Sequence, residues 1–412
     1  MSTAPTLADK APEKDAPSWV TRFLRSFMNP SVGTIAGAIA LALVIGALIV
    51  AIFDPEVQRT VGYLFARPSD FFAAFGSAFG GFFTSLFRGA VFDWTQSSAT
   101  AAIKPITDTM LRATPLIIAG LAIAVSFTAG LFNIGVQGQL MMGAVLGGFL
   151  GFYLNLPYGL HLLVAILGAI VGGAIWGFIP GFLKAKLGAN EVIVTIMLNS
   201  VAVYLLQYIL TTQLFTGPGG YPGKSQKVAE TAQLPLLLGS GFRLHAGFLL
   251  ALVAAVLVWW ILKRSTFGFE LRAAGANPAA ARTAGINVPR TLMLTLVLSG
   301  ALAGLAGTAP VLGTEKFISG DVAASYGFDA ITVALLGKSS PLGVVLAGLL
   351  FGGLNAGSAI MQSSNIPVDI GQITQAVIVL LIAASEAIRL RRAQKAANAS
   401  SASAVKKEGA GA

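Results

Sequence analysis

Between residues 33 and 388 the chain is divided into long apolar runs by short polar loops, and that pattern leaves few folds open to it. A helix crossing a hydrocarbon layer about 30 Å thick needs about 20 apolar residues at about 1.5 Å each. Runs of this kind lie at 33–53, 113–130, 138–155, 159–183, 191–211, 245–263, 291–311, 343–362 and 369–388, with a shorter one at 327–337. Charged residues make up 11% of the 412 positions, against roughly 25% in a soluble domain. The sequence therefore predicts an all-α, polytopic integral membrane bundle of about ten transmembrane helices, some of them short or interrupted.

An even number of spans puts both termini on one side. Arg22 and Arg25 precede the first span, and Arg389, Arg391 and Arg392 follow the last. Basic residues stay on the cytoplasmic side, so both termini are expected there. Alternation then places Lys184, Lys186 and the 264–290 loop inside as well. Residues 1–30 and 391–412 read as disordered cytoplasmic tails, the latter rich in Ala, Ser and Lys, and 31–390 as the transmembrane domain. The region 54–112 is expected to be external. Its Phe- and Gly-rich stretch 60–88 reads as an amphipathic helix on the outer interface, with an eleventh span as the alternative.

Composition excludes several chemistries. The chain has no cysteine, so it has no disulfide, thiolate metal site or Cys nucleophile. His161 and His245 stand alone near span ends and read as interfacial residues. The net charge of +10 reflects membrane topology, not nucleic-acid binding. Gly337-Lys338-Ser339 resembles the end of a phosphate-binding loop, but Thr332 stands where that motif needs its first glycine. No nucleophile and base are paired, so the chain reads as a non-enzyme. No cofactor or metal is expected to bind to it.

Polar groups at membrane depth carry more information. The segment LFNIGVQGQ, 131–139, interrupts two apolar helices, and GKSSPLG, 337–343, follows a span too short to cross alone. Irregular backbone survives at depth only where protein or a water-filled cavity satisfies it, and paired interruptions point to a transport pathway. Simple turns are the alternative reading. Asn133, Gln137, Gln139, Asn199 and Asn355 are the candidate pathway residues, since amides both donate and accept and suit a neutral polar solute. They could equally join helices to one another. Small residues recur at four-residue spacing in three stripes: Gly168, Gly172, Gly173, Gly177 and Gly181; Gly300 and Gly304; Gly348, Gly352, Gly353 and Gly357. Such stripes let helices approach closely in lipid.

The loop Asn277–Gly285 carries the start and stop signals of a helix of about two turns. Asn277 suits the cap, Pro278 the first helical position and Gly285 the C′ position. Arg264, Arg272, Arg282 and Arg290 surround it. A capped, basic, water-facing helix between spans suits docking to a soluble partner, with an ordinary turn as the alternative.

Four segments, in order, resemble the permease subunits of bacterial ABC importers: LFNIGVQGQ at 131–139, GANEVIVTIMLN at 188–199, LRAAGANPAAARTAGI at 271–286 and ALLGKSSPLG at 334–343. The pattern is similar to that of nucleoside and simple-sugar permeases served by external lipoproteins, with ribose and branched-chain amino-acid permeases as more distant relatives. The resemblance covers about 105–390. It implies a multi-pass protein of the bacterial inner membrane that translocates a small neutral solute, a nucleoside foremost. The implied partners are two cytoplasmic ATPase subunits that bind the ATP, a second homologous permease forming a heterodimer, and an external substrate-binding lipoprotein, with lipid around the bundle. It makes Arg272, Asn277, Pro278, Arg282 and Gly285 the ATPase-coupling residues, although the arginines could also serve topology alone. This chain departs from the family in carrying Gln137 where Glu is common. A sugar permease remains the alternative within the family, and a self-sufficient secondary transporter or facilitator the alternative outside it.

Overall fold

The computed structural model describes residues 30–363, 371–378, 380, 381 and 384. The two tails expected at 1–30 and 391–412 lie outside the described residues, apart from Pro30. Two compact units arise, one from residues up to 45 and from 376 onward, the other from 46–375. The first contributes only helical residues to the description, and the account below concerns the second.

Its helices are α1 (Pro30–Phe53, shared with the first unit), α2 (Pro55–Val61), α3 (Pro68–Ala90), α4 (Ala99–Thr128), α5 (Val136–Tyr153), α6 (Leu160–Leu187), α7 (Glu191–Ile209), α8 (Gln213–Thr216), α9 (Gly247–Arg264), α10 (Thr266–Ala276), α11 (Pro278–Thr283), α12 (Val288–Thr308), α13 (Tyr326–Leu336) and α14 (Pro341–Ser363). No strand occurs among the described residues; two isolated bridges, Lys224–Ser319 and Leu236–His245, tie loops together. Eight helices among the described residues are long and apolar enough to cross a membrane, where about ten were expected. The expected span at 138–155 is α5, which falls short because Gln137 and Gln139 occupy its first turn. The short span at 327–337 is α13, of 11 residues. The span at 369–388 lies partly outside the described residues.

The stretch expected as one interfacial helix at 60–88 is two elements, α2 and α3. α3 has 23 residues and is itself long and apolar enough to cross. Phe71, Phe75, Phe79 and Phe83 form a row at i, i+4 along it, with centroids 5.5–6.2 Å apart, the first three stacked and the last tilted. At its end, Arg88 Nε donates to Asp93 Oδ1 at 2.8 Å, and Thr95 and Gln96 also donate to that carboxylate. The Arg88 guanidinium and these donors hold Asp93 well below the usual carboxylate range.

α4 begins 14 residues before the expected span start, at 99 instead of 113. Its 30 residues extend about 45 Å, longer than the hydrocarbon layer. Its first four turns place Lys104, Asp108 and Arg112 on one face.

The glycine stripes are the helix crossings. In lipid no hydrophobic drive joins helices, so close backbone approach supplies much of the packing energy. A Cβ placed on Gly173 would strike the Gly300 carbonyl, and one on Gly143 the Gly304 Cα. α5, α6 and α12 thus meet backbone to backbone. The third stripe lets α14 approach α4 at Gly348 and Gly352, and α3 at Gly357.

α12 does not stop at its expected end. It continues as a π-helical turn, Ala309–Thr314, in which the Glu315 N–H donates to the Pro310 carbonyl at 2.8 Å. The long loop after α7 folds over this end: Ser225 donates to Ile318, Val228 to Lys316 and Leu234 to Leu312. That cover buries both histidines, which lie at the starts of α6 and α9. His161 Nε2 donates to the Leu150 carbonyl at 3.0 Å, while Nδ1 accepts from Thr231 Oγ1 at 2.7 Å. His245 Nδ1 accepts from the Gly247 N–H at 3.1 Å. Burial, with Lys316 and Arg243 nearby, pushes its pKa down to about 4.

Candidate functional site

The first interruption is a non-helical strap, residues 129–135, whose polar atoms are satisfied by side-chain amides. Asn133 Nδ2 donates to Gln139 Oε1 at 3.0 Å and to Ser299 Oγ at 2.9 Å, and the Ser299 hydroxyl donates to the Ala122 carbonyl at 2.7 Å. Asn133 Oδ1 accepts from the Gly135 N–H at 3.0 Å. Asn199 Oδ1 accepts from the Gly138 N–H and its Nδ2 donates to the Ile134 carbonyl, each at 2.9 Å. Gln137 Nε2 donates to the Ala324 carbonyl at 2.7 Å, and its Oε1 accepts from the Gly327 N–H at 2.8 Å.

Four of the five candidate pathway residues, Asn133, Gln137, Gln139 and Asn199, therefore form one buried knot joining α4, α5, α7, α12 and the start of α13. Buried polar backbone costs about 1–3 kcal/mol per unsatisfied group, so the knot is what permits a break inside the bundle. Asn355 lies apart on α14, where it accepts from Gln375 Nε2 at 2.7 Å.

The second feature is the 264–290 loop. Asn277 Oδ1 accepts from the Ala279 and Ala280 N–H groups at 3.0 and 3.1 Å, Pro278 occupies the first helical position, and Gly285 adopts φ +85°. Side-chain caps also start the neighbouring helices: Ser265 accepts from Gly268 at 2.9 Å and Asn287 from Arg290 at 3.2 Å. Ala274, Ala281 and Val288 form a small apolar core beneath, with Ala273, Ile286 and Leu292 against it. Ala281 is thus the buried residue of α11, while Asn277, Pro278, Ala280, Arg282, Ala284 and Gly285 are exposed. Arg272 is half-buried, with one guanidinium nitrogen lacking a hydrogen-bond partner. Beside α11 a recess of about 360 Å³ is lined by Phe267, Glu270, Asn287 and Arg290.

The loop and the strap touch. The Gly130 Cβ position lies 3.4 Å from Gly275, and one built on Gly275 would strike the Thr128 carbonyl. The exposed helix thus connects, through α10, to the start of the strap that carries Asn133.

Sequence reasoning passed over a polar cavity toward the other end of α4, around Asp108, Arg112, Arg243, Glu315 and Tyr326. The signal was present in the i, i+4, i+8 spacing of Lys104, Asp108 and Arg112. Arg243 and Glu315 come from distant segments, and no local pattern joins them to that face.

A glycine-packed bundle of helices long and apolar enough to cross a membrane, interrupted around an amide knot and carrying an exposed capped helix, fits a membrane transport subunit. Residues 105–384 match the family described as the branched-chain amino acid transport system permease component, and the chain belongs to that family. It is 38% identical to the guanosine ABC transporter permease protein NupP of Bacillus subtilis (strain 168), over 69% of this chain and 82% of that protein. It is 35% identical to the nucleoside ABC transporter permease protein NupB of Lactococcus lactis subsp. cremoris, over 69% and 81%. It is 37% identical to the glucose ABC transporter permease protein TsgB13 of Haloferax volcanii, over 68% and 76%. The chain is therefore a multi-pass membrane protein and a transport component.

Proposed function

We propose that this chain is the membrane-spanning subunit of an ATP-driven importer that carries nucleosides across a bacterial cytoplasmic membrane. Both termini and the 264–290 loop face the cytoplasm. ATP is bound and hydrolysed by two partner ATPase subunits, and this chain holds no cofactor. It pairs with a second, homologous permease and receives solute from an external binding lipoprotein. The exposed α11, capped by Asn277 and ended at Gly285, carries this reading. Such a helix keeps its shape under load, and its footing on the strap at Gly130 would pass motion from an ATPase into the bundle. The two nucleoside-permease relatives favour nucleosides as cargo. The glucose-permease relative, at 37% identity, makes a neutral sugar the second reading.

The test is isolation of the tagged chain from its native membrane in mild detergent, followed by identification of co-purifying proteins and uptake assays on the reconstituted assembly. An ATPase, a second multispanning subunit and a lipoprotein are expected, with ATP-dependent uptake of guanosine or uridine. Recovery of this chain alone after crosslinking, with ATP-independent uptake, would replace the importer by a self-sufficient transporter.

A further inference from the structure

The cavity near the outer part of α4 is built unlike the amide knot. It encloses about 300 Å³, at the lower end of the range for small-molecule sites of roughly 300–1,000 Å³. Asp108, Arg112, Arg243, Thr314, Glu315 and Tyr326 bring their side chains to it. Two carboxylates face two guanidiniums, so the wall carries no net formal charge and offers both donors and acceptors. One of these groups is unspent: Asp108 Oδ1 is buried without a hydrogen-bond partner. A buried carboxylate oxygen without a donor is costly, and a hydroxyl or N–H from a solute would satisfy it. Pro115, Pro310 and the Tyr326 ring add flat apolar surface to the same space. The π-helical turn shapes one side; such turns occur frequently at functional sites.

Position in the fold agrees with a solute site. Thr128, at one end of α4, lies against Gly275 of the exposed loop. Asp108 is 20 residues earlier, about 30 Å along the helix, and so lies toward the opposite face. A second recess, of about 480 Å³, shares Asp108 and Arg112 with the first and is bounded by Asp93, Lys104 and α14. Asp108 and Arg112 thus line both chambers.

We propose that the Asp108–Arg112–Arg243–Glu315–Tyr326 cavity is a binding station for a nucleoside within the permease, on the side away from the ATPase loop. This rests on the nucleoside-importer reading above. Asp108 and Glu315 accept from ribose hydroxyls or base N–H groups, the guanidiniums donate to base carbonyls and ring nitrogens, and Tyr326 with the prolines contacts the base. The wall's charges cancel, so it offers a charged solute no net attraction to offset its desolvation, and a neutral solute fits best. A free hexose matches the polar groups but leaves the flat apolar surface unused.

Because the chain has no cysteine, Thr314→Cys introduces the sole thiol of this subunit. In the assembled, reconstituted importer, its alkylation by a small maleimide is followed by mass spectrometry of this chain. Guanosine or uridine at millimolar concentration is expected to slow alkylation at least threefold, and glucose to leave it unchanged. Equal rates with and without nucleoside, or protection by glucose alone, would overturn the proposal. Independently, Asp108→Asn is expected to lower nucleoside uptake at least tenfold, mainly through KM, while ATP hydrolysis stimulated by the loaded binding protein persists. Unchanged uptake kinetics in this variant would also overturn it. Absence of nucleoside uptake by the unsubstituted importer would instead defeat the functional reading on which the proposal rests.

Discussion

At the scale of single residues, two side chains bear more than their size suggests. Gln137 spans the turn at the start of α13, donating to the Ala324 carbonyl and accepting from the Gly327 N–H. Leucine at 137 fills similar space but leaves both backbone groups unpaired. Gln137→Leu is expected to destabilise the protein by about 1–3 kcal/mol, the cost of leaving the buried Gly327 N–H without an acceptor, read as a lower unfolding midpoint in detergent. An unchanged midpoint would mean that the knot is not what holds the break. His245 is a different case. Its folded-state pKa, about 4 against the ordinary 6.5, means that the unfolded chain binds the extra proton first. Its neutral form stabilises the fold fully above about pH 6.5, and that stability is lost as pH falls toward 4, about 3 kcal/mol in all. His245→Gln should flatten the fall in unfolding midpoint between pH 6.5 and 4. An equally steep fall in the variant would assign the acid sensitivity elsewhere.

At the scale of elements, α11 shows which local features the sequence can specify. Asn277, Pro278 and Gly285 act through backbone geometry within a few residues, and each occupies the position its chemistry dictates. The glycine stripes were legible for the same reason, since small-residue spacing is a local property, although the pairing of α6 with α12 is not. Side chains that meet across the fold left weaker traces. The amides could be lining or joints from sequence alone, and only the structure brings Asn133 beside Ser299, 166 residues later in the chain. The π-turn after Thr308 left no periodic signal, because it inserts one residue into an otherwise regular apolar helix. The first turns of α4 were missed because charges at 104, 108 and 112 lower the apolarity of a segment whatever face they share. A consequence specific to α11 follows from burial. Ala280 and Ala284 face outward, whereas Ala281 sits in the small core with Ala274 and Val288. Ala280→Glu or Ala284→Glu should leave the amount of folded, membrane-inserted protein unchanged and reduce uptake at least tenfold. Ala281→Glu should reduce the folded protein itself, since it buries an unpaired charge. Normal uptake in the first two variants would show that α11 is not a docking surface.

At the scale of the whole second unit, the three features form one mechanical series. α11 is capped against α10. α10 rests at Gly275 on the end of α4, where the strap begins. The strap is held by the knot, and the knot grips Ala324 and Gly327 on either side of Tyr326, which lines the polar cavity. Motion imposed at the loop therefore has a contiguous packed route to the cavity wall. The weakest place to interrupt it without touching knot or cavity is Gly275. A Cβ there would lie 2.8 Å from the Ala129 carbonyl carbon and 3.0 Å from its Cα, besides striking the Thr128 carbonyl. Those are backbone atoms, which cannot rotate away as a side chain would, so α10 must shift against α4. Gly275→Ala is expected to keep the assembled complex and its ATP hydrolysis while lowering uptake per ATP hydrolysed at least fivefold. Equal loss of hydrolysis and uptake would mean only that less complex forms, and unchanged coupling would mean that the load travels by a route other than this contact.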